Sequence, residues 1–312
     1  MKPRFSIVIP VYKSGEWLES LVFRINKVML HMDLENQFEL ILVNDSSPDD
    51  LTWKKIEYLA KKYKWIKGIE LFFNQGQYKA TLCGISKSEG EFIITMDDDF
   101  QHLPEDIPKL VNSILSSKDI DCVFGKYNSI QNSKIRRFGT LLKGNLFNNL
   151  YQKSRNIRTS SFRIFNRSLG KALLSYKISH PQVTPLIILT TNKISNVEVT
   201  PSPRIKYTGN YSMIKLIKEV LHAFINISLL PLRSISFIGI FFSLVSLLIG
   251  IYTFMRWYNG AIHIAGYTTI ILVITFFSGL ILLSIGILSE YITRIIREVS
   301  GFEDYAIKRT TY

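Results

Sequence analysis

Cysteine is scarce: Cys83 and Cys122 are the only two among 312 residues, and neither lies in a CxxC or CxxC-to-His spacing. That excludes a disulfide framework and a cysteine-held zinc site, and it fits a reducing compartment. The glycine signatures of nucleotide binding are also missing. No GxGxxG follows the first apolar run and no GxxxxGK[ST] occurs anywhere, so a dinucleotide dehydrogenase and a P-loop nucleotidase are not supported. The opening "MKPRFSIVIPVYKSG" has too short an apolar run for a secretory signal and lacks a small-residue cleavage site. It reads instead as the first strand of a cytosolic domain.

Acidic residues are absent from one long segment. Between Cys122 and Val197 there is no Asp or Glu, while thirteen Lys and Arg fall there, as many as the whole net charge of +13. The other 25 basic residues balance the 25 acidic ones. Such a segment suits nucleic acid, anionic lipid or a phosphorylated substrate, or is a solvated basic face, and charge alone does not choose.

What is present begins with apolar content of 47%, ample for one medium domain plus a second region. Strand-length apolar runs occur at 5–12, 38–44, 69–73, 91–96 and 121–125, separated by helical patterns. Trp17, Leu18, Leu21, Val22, Ile25, Val28 and Met29 keep helix spacing, as do Ile107, Leu110, Val111, Ile114 and Leu115. Alternating strands and helices predict an α/β fold with a mainly parallel sheet, whose ligands gather beyond the carboxyl ends of the strands. Polar clusters fall at those ends: Tyr12, then "NDSSPDD", "NQGQ" and "MDDDFQ".

Towards the end of the chain, 234–255 and 265–289 carry no charged residue, and each exceeds the roughly 20 residues that cross a bilayer as a helix. Lys215, Lys218 and Arg233 precede the first of these segments, and Arg294, Arg297, Lys308 and Arg309 follow the second. This basic excess predicts both termini on the cytoplasmic side of a plasma or inner membrane. The stretch "SMIKLIKEVLHAFINISLLPLR" has one apolar and one polar helical face, predicting a helix that lies in the membrane interface. The expected organisation is a catalytic domain over 1–208, a juxtamembrane amphipathic helix over 209–233, membrane helices over 234–256 and 265–290, and a cytosolic tail over 291–312.

Three consecutive aspartates follow the fourth strand. In an extended or turning segment, alternate residues point the same way, which places Asp97 and Asp99 together and Asp98 elsewhere. With Gln101 they form an all-oxygen set suited to Mg2+ or Mn2+, which takes one or two carboxylates plus substrate phosphates. A solvated acidic turn, or a cap for the next helix, would use the same residues.

"SIVIPVY", "LVNDSSPDD", "NQGQ" and "MDDDFQHLPEDI" appear in that order ahead of two apolar segments. The chain thereby resembles the family-2 nucleotide-sugar glycosyltransferases of GT-A (Rossmann-like) fold. More narrowly, it resembles their polyprenyl-phosphate group, on "SFRIF", "RIKYTGNYS", "LPLR" and "GILSEYITRI" as well. The resemblance implies that Asp97, Asp99 and Gln101 hold the metal, that Pro10, Tyr12, Asp45, Asp97 and Asp98 contact the nucleotide sugar, and that Arg204 closes over the diphosphate. It further implies transfer with inversion. Departures fall at Ser14, Arg158, Ser160 and Tyr207, around the base and sugar rather than the metal.

A phosphate monoester is largely dianionic at neutral pH, with a second pKa of about 6, so a polyprenyl phosphate is a nucleophile without a general base. Such an acceptor needs positive charge to hold it beside an anionic donor. Lys126, Arg136, Arg137 and Arg163 are the candidates, since they lie in the acid-free segment and Arg pairs bidentately with phosphate. The expected partners are a nucleoside diphosphate sugar, a polyprenyl phosphate and the membrane, with no nucleic acid; self-association is an open expectation. Two alternatives stand beside this reading: the same fold acting on a glycan hydroxyl, and a non-catalytic membrane scaffold. No QxxRW is present, which disfavours a processive polysaccharide synthase.

Overall fold

A computed structural model describes residues 3–117, 119–127, 157–176, 182–202 and 305–312, with scattered positions between 248 and 295. The chain divides into two compact units, one made of 1–208 with 303–312 and the other of 209–302.

In the first unit, apolar runs become strands and periodic segments become helices. The order is β1 (Phe5–Val11), α1 (Leu18–His31), β2 (Phe38–Asn44), α2 (Asp50–Lys62), β3 (Ile66–Leu71), α3 (Gln77–Ser86), β4 (Phe92–Thr95), α4 (Ile107–Leu115) and β5 (Cys122–Tyr127). There follow β6 (Arg163–Asn166), helices Arg167–Ser175 and Val183–Thr190, β7 (Ile194–Val199) and β8 (Ile307–Thr310). The sheet order is β7-β5-β6-β4-β1-β2-β3-β8. The pairings of β1 with β2 and β4, of β2 with β3 and of β5 with β7 are parallel, and those made by β6 and β8 are antiparallel. The mainly parallel α/β reading therefore holds, while β6, β7 and β8 are strands that apolar runs did not mark.

β1 and β2 are buried throughout, as expected for strands covered on both faces. Alternation sends Ile7 and Ile9 into the core under α1, α2 and α4, and Val8 into the opposite core with α3 and helix Arg167–Ser175. Helix starts carry their own signals: Asp49 caps α2 by accepting from Thr52 N–H, and Asn166 caps the helix after β6 by accepting from Leu169 N–H. α3 begins after Gly76, whose φ of 88° favours glycine.

Residues 303–312, the end of the expected cytosolic tail over 291–312, belong to the first unit. β8 pairs with β3 through Ile69–Thr310 and Glu70–Arg309, and Thr311 Oγ1 accepts from Gly68 N–H at 2.9 Å. In the second unit, the described positions from Ile270 to Ser289 are helical, as are Leu248 and Met255. Among the described residues, no helix is long and apolar enough to cross a membrane. Most of 234–256 and many residues of 265–290 lie outside the described set, as does the whole of 209–233.

Candidate active site

The carboxyl ends of β1, β2, β3 and β4 point to one edge of the sheet, and the loops after them are tied together by side chains. Asp98 makes the first tie. Its Oδ2 accepts from Tyr12 N–H at 3.1 Å and from the Ser14 hydroxyl, while its carbonyl accepts from Trp17 Nε1 at 2.8 Å. The aspartate turn is thus held against the β1–α1 loop. Burial, more than its acidic neighbours, pushes the Asp98 carboxyl up to about 6.

Asp45 makes the second tie. It is 4% exposed, and its two oxygens accept from Gln75 N–H at 2.7 Å and Gly76 N–H at 2.8 Å. Burial raises its carboxyl above the ordinary value, and the two N–H groups oppose that rise. The residue expected at the nucleoside therefore has both oxygens engaged in shaping the β3–α3 loop. Tyr12 is half-exposed at the end of β1, and Pro10 is buried within β1 beside Val43.

Asp97 and Asp99 flank Asp98 and take other partners. Asp97 accepts from Gln77 Nε2 through Oδ1 and from Ser161 Oγ, at 2.8 Å, through Oδ2. Asp99 Oδ1 accepts from Gln101 N–H at 3.1 Å. The negative fields of Asp97 and Asp99 both fall on His102 and on Tyr127. Phe100, between Asp99 and Gln101, has a φ of 59°. Lys13 and Ser46, at the ends of β1 and β2, have φ of 57° and 51°. Left-handed backbone is costly for such residues and persists only where surroundings fix it, so strain collects at this edge.

Sequence reasoning gave His102 no role, although it lies inside the aspartate motif. It is 4% exposed, and its Nδ1 accepts from Asp97 N–H at 2.8 Å, which leaves the ring proton on Nε2. Burial lowers its pKa against the pull of Asp97 and Asp99, keeping it neutral. The ring stacks on Phe162, 5.2 Å between centroids, with Nε2 3.5 Å from Ser161 Oγ. His102 and Ser161 thus fix the backbone and carboxylate of Asp97. Gln77, Ser161 and Trp17 were also missed, because their roles depend on contacts between separate loops.

The basic candidates divide. Arg163 is 2% exposed; its Nε donates to Thr95 Oγ1 at 3.0 Å and its Nη1 to Thr184 Oγ1 at 2.7 Å. It lies in the sheet beneath the site, in β6 between β4 and β5, buried rather than open to solvent. Burial brings its pKa down to about 10, and the charge of Asp97 counters that shift. Lys126 is more open, with Nζ 4.0 Å from Glu198 Oε1. Arg136, Arg137 and Arg204 lie outside the described residues.

Among the described residues, no group of three His, Cys, Asp or Glu side chains could hold a metal ion unaided. Asp97 and Asp99 would supply two carboxylates and Gln101 an amide oxygen. This donor set fits a hard cation that draws its remaining ligands from substrate phosphates and water.

The profile of glycosyl transferase family 2 matches residues 6–174. The chain belongs to glycosyl transferase family 2. A second profile, the GtrB C-terminal hairpin, matches 230–295. This family-2 enzyme is 29% identical, over 98% of its length and 93% of the relative, to the undecaprenyl-phosphate 4-deoxy-4-formamido-L-arabinose transferase of Proteus mirabilis. It is 30% identical to the protein of the same name from Pectobacterium atrosepticum, over 98% of the chain and 93% of the relative. The resemblance to the polyprenyl-phosphate group holds on these matches. Its fold is shared with glucosyl-3-phosphoglycerate synthase from Mycobacterium tuberculosis, at TM-score 0.53 and 18% identity over 72% of this chain and 78% of that one. A mannosyltransferase from Pyrobaculum calidifontis gives TM-score 0.52 and 15% identity over 75% and 65%.

Proposed function

We propose that this family-2 glycosyltransferase moves one sugar from a nucleoside diphosphate sugar onto a polyprenyl phosphate at the cytosolic face of a membrane, with inversion at the anomeric carbon. The relatives named for undecaprenyl phosphate support that acceptor, and they match nearly end to end. The observation that carries the reading is the edge where Asp97 and Asp99 stand at the end of β4, beside the loops gathered by Asp98 and Asp45.

Asp97, Asp99 and Gln101 would hold Mg2+ or Mn2+. When bound, the ion supplies Lewis-acid neutralisation of the leaving diphosphate. Gln77 and Ser161 orient Asp97, and neutral His102 fixes its backbone. Asp98 holds the Tyr12 loop, and with Pro10, Tyr12 and Asp45 it frames the nucleotide sugar; Arg204 closes on the diphosphate. Lys126, Arg136 and Arg137 bind the acceptor phosphate, which needs no deprotonation. Arg163 places a buried positive charge under Asp97.

Two membrane helices over 234–256 and 265–290, preceded by the interfacial helix over 209–233, keep the catalytic domain of 1–208 at the lipid. Leu248, Met255, Ile270, Ile274, Ile281 and Ile285 are exposed apolar side chains of the second unit, which supports this reading. The segments before and after the second unit both belong to the first, which supports the reading of two crossings with both termini on one face.

The test is transfer of radiolabelled sugar from UDP, GDP and dTDP donors to undecaprenyl phosphate, followed in organic-extractable lipid. The expected result is one active donor, loss of transfer with chelator and its return with Mg2+ or Mn2+. Asp99→Asn should lower transfer by about 10²–10³-fold or more, on the scale of a lost electrostatic contact to a developing charge. Full activity in chelator, or in Asp99→Asn, would remove the metal assignment.

A further inference from the structure

We propose that β8 is a positioning element of the donor site, and that Arg309 holds the loops after β1 and β2 in the shape that binds the nucleotide sugar. The inference rests on the proposed function for the identity of the ligand, but its geometry is independent of that reading.

Glu70 lies in β3 and is 6% exposed. A buried carboxylate is costly unless it is paired. Among the described residues, the cations paired with it come from β8: Arg309 Nε at 2.5 Å and Lys308 Nζ at 3.4 Å, both on Oε2. Its other oxygen accepts from Asn44 Nδ2 at 3.3 Å. That contact orients the Asn44 amide, which is fully buried at the end of β2. Asn44 Oδ1 in turn accepts from Ser47 N–H at 3.1 Å and Ser47 Oγ–H at 2.7 Å. Ser47 Oγ accepts from Lys13 N–H at 2.9 Å. An unbroken chain of bonds therefore runs from Arg309 to the loop that carries Tyr12.

A second path is parallel to it. Phe72 N–H donates to the carbonyl of Ala306, just before β8, at 3.0 Å, and the Phe72 carbonyl accepts from Ser46 Oγ at 3.5 Å. The two paths end on Lys13 and Ser46, two of the left-handed residues at the site edge. Strained backbone of this kind needs external bonds to persist. The guanidinium of Arg309 also lies 4.6 Å from the ring centre of buried Trp53, which fixes its direction.

With Arg309 gone, Glu70 loses its shortest counter-charge, the Asn44 amide loses its fixed acceptor, and Ser47 and Lys13 relax. The consequence falls on donor binding more than on the chemical step. In the full-length chain, Arg309→Gln should raise the KM for the nucleotide sugar by about tenfold, the size expected for one charge-assisted bond. The acceptor KM should stay constant and kcat should remain within about threefold. Arg309→Lys should recover most of the donor affinity, and Thr310→Ala, on the same strand, should change nothing.

Hydrogen exchange of the peptides covering 12–14 and 44–47 supplies a readout that needs no donor. Exchange should quicken in Arg309→Gln and, through the same carboxylate, in Glu70→Gln. An unchanged donor KM with unchanged exchange would overturn the proposal, as would a fall in kcat and stability with donor KM constant. If no nucleotide sugar is transferred by the unaltered chain, the donor reading fails, and the exchange measurement still decides the role of β8.

Discussion

At the residue scale, the site works by giving each carboxylate a different task through its neighbours. Asp98 is turned to the β1 loop, Asp97 to Gln77 and Ser161, and Asp45 to two backbone N–H groups. Asp45→Ala should leave the N–H groups of Gln75 and Gly76 unpaired and destabilise the fold by about 1–3 kcal/mol, measurable by chemical denaturation. The pH effect has a definite sign. Burial raises the Asp45 carboxyl, so the folded chain binds that proton more tightly than the unfolded chain. The stability this contributes is present below the unfolded value and is lost as pH rises through the folded one. The native chain should therefore lose stability relative to Asp45→Asn across that acid window, and an opposite slope would show that the two N–H bonds dominate.

At the element scale, helix α3 decides where Gln77 stands. Its Gly84 lies flat on the sheet: a Cβ there would come within 2.3 Å of Val8 Cγ1 and 3.2 Å of Val43 Cγ2. Gly84→Ala should destabilise by about 1–3 kcal/mol through overpacking. Because Gln77 at the start of the helix donates to Asp97, lifting α3 should also reduce transfer per folded molecule. Thermal unfolding and specific activity on the same preparation check both parts. β1 and β2, and helices α1 and α4, were legible because unbroken apolar runs and helical spacing are local signals. β6 and β7 were not, since "RIFN" and "ISNVEV" carry little apolar periodicity and are held by neighbours in the sheet. Arg163 illustrates the cost of this: the basic segment gives no sign of its burial, which follows from a strand lying between β4 and β5.

At the scale of the whole molecule, residues 209–302 are inserted between two parts of one folded unit. Tags or protease sites placed before β1 and after β8 should both be accessible from the cytoplasmic side of sealed vesicles and neither from the other side. Opposite-sided access would be incompatible with β8 pairing to β3 in the same molecule. The pairing also makes the catalytic unit depend on residues 303–312, so a chain cut after residue 208 should show faster exchange throughout β3 than the full chain.

The sequence by itself determined the class of fold, the strand-end edge on which polar residues gather and the aspartate motif, because each arises from residues within one or two turns of each other. Tertiary structure alone decided the partners of each carboxylate, the burial of Arg163 and the strand β8. The bond between Glu70 and Arg309 spans 239 residues. Nothing local marks such a pair, since its strength comes from a buried carboxylate and a cation that meet only when the sheet is complete.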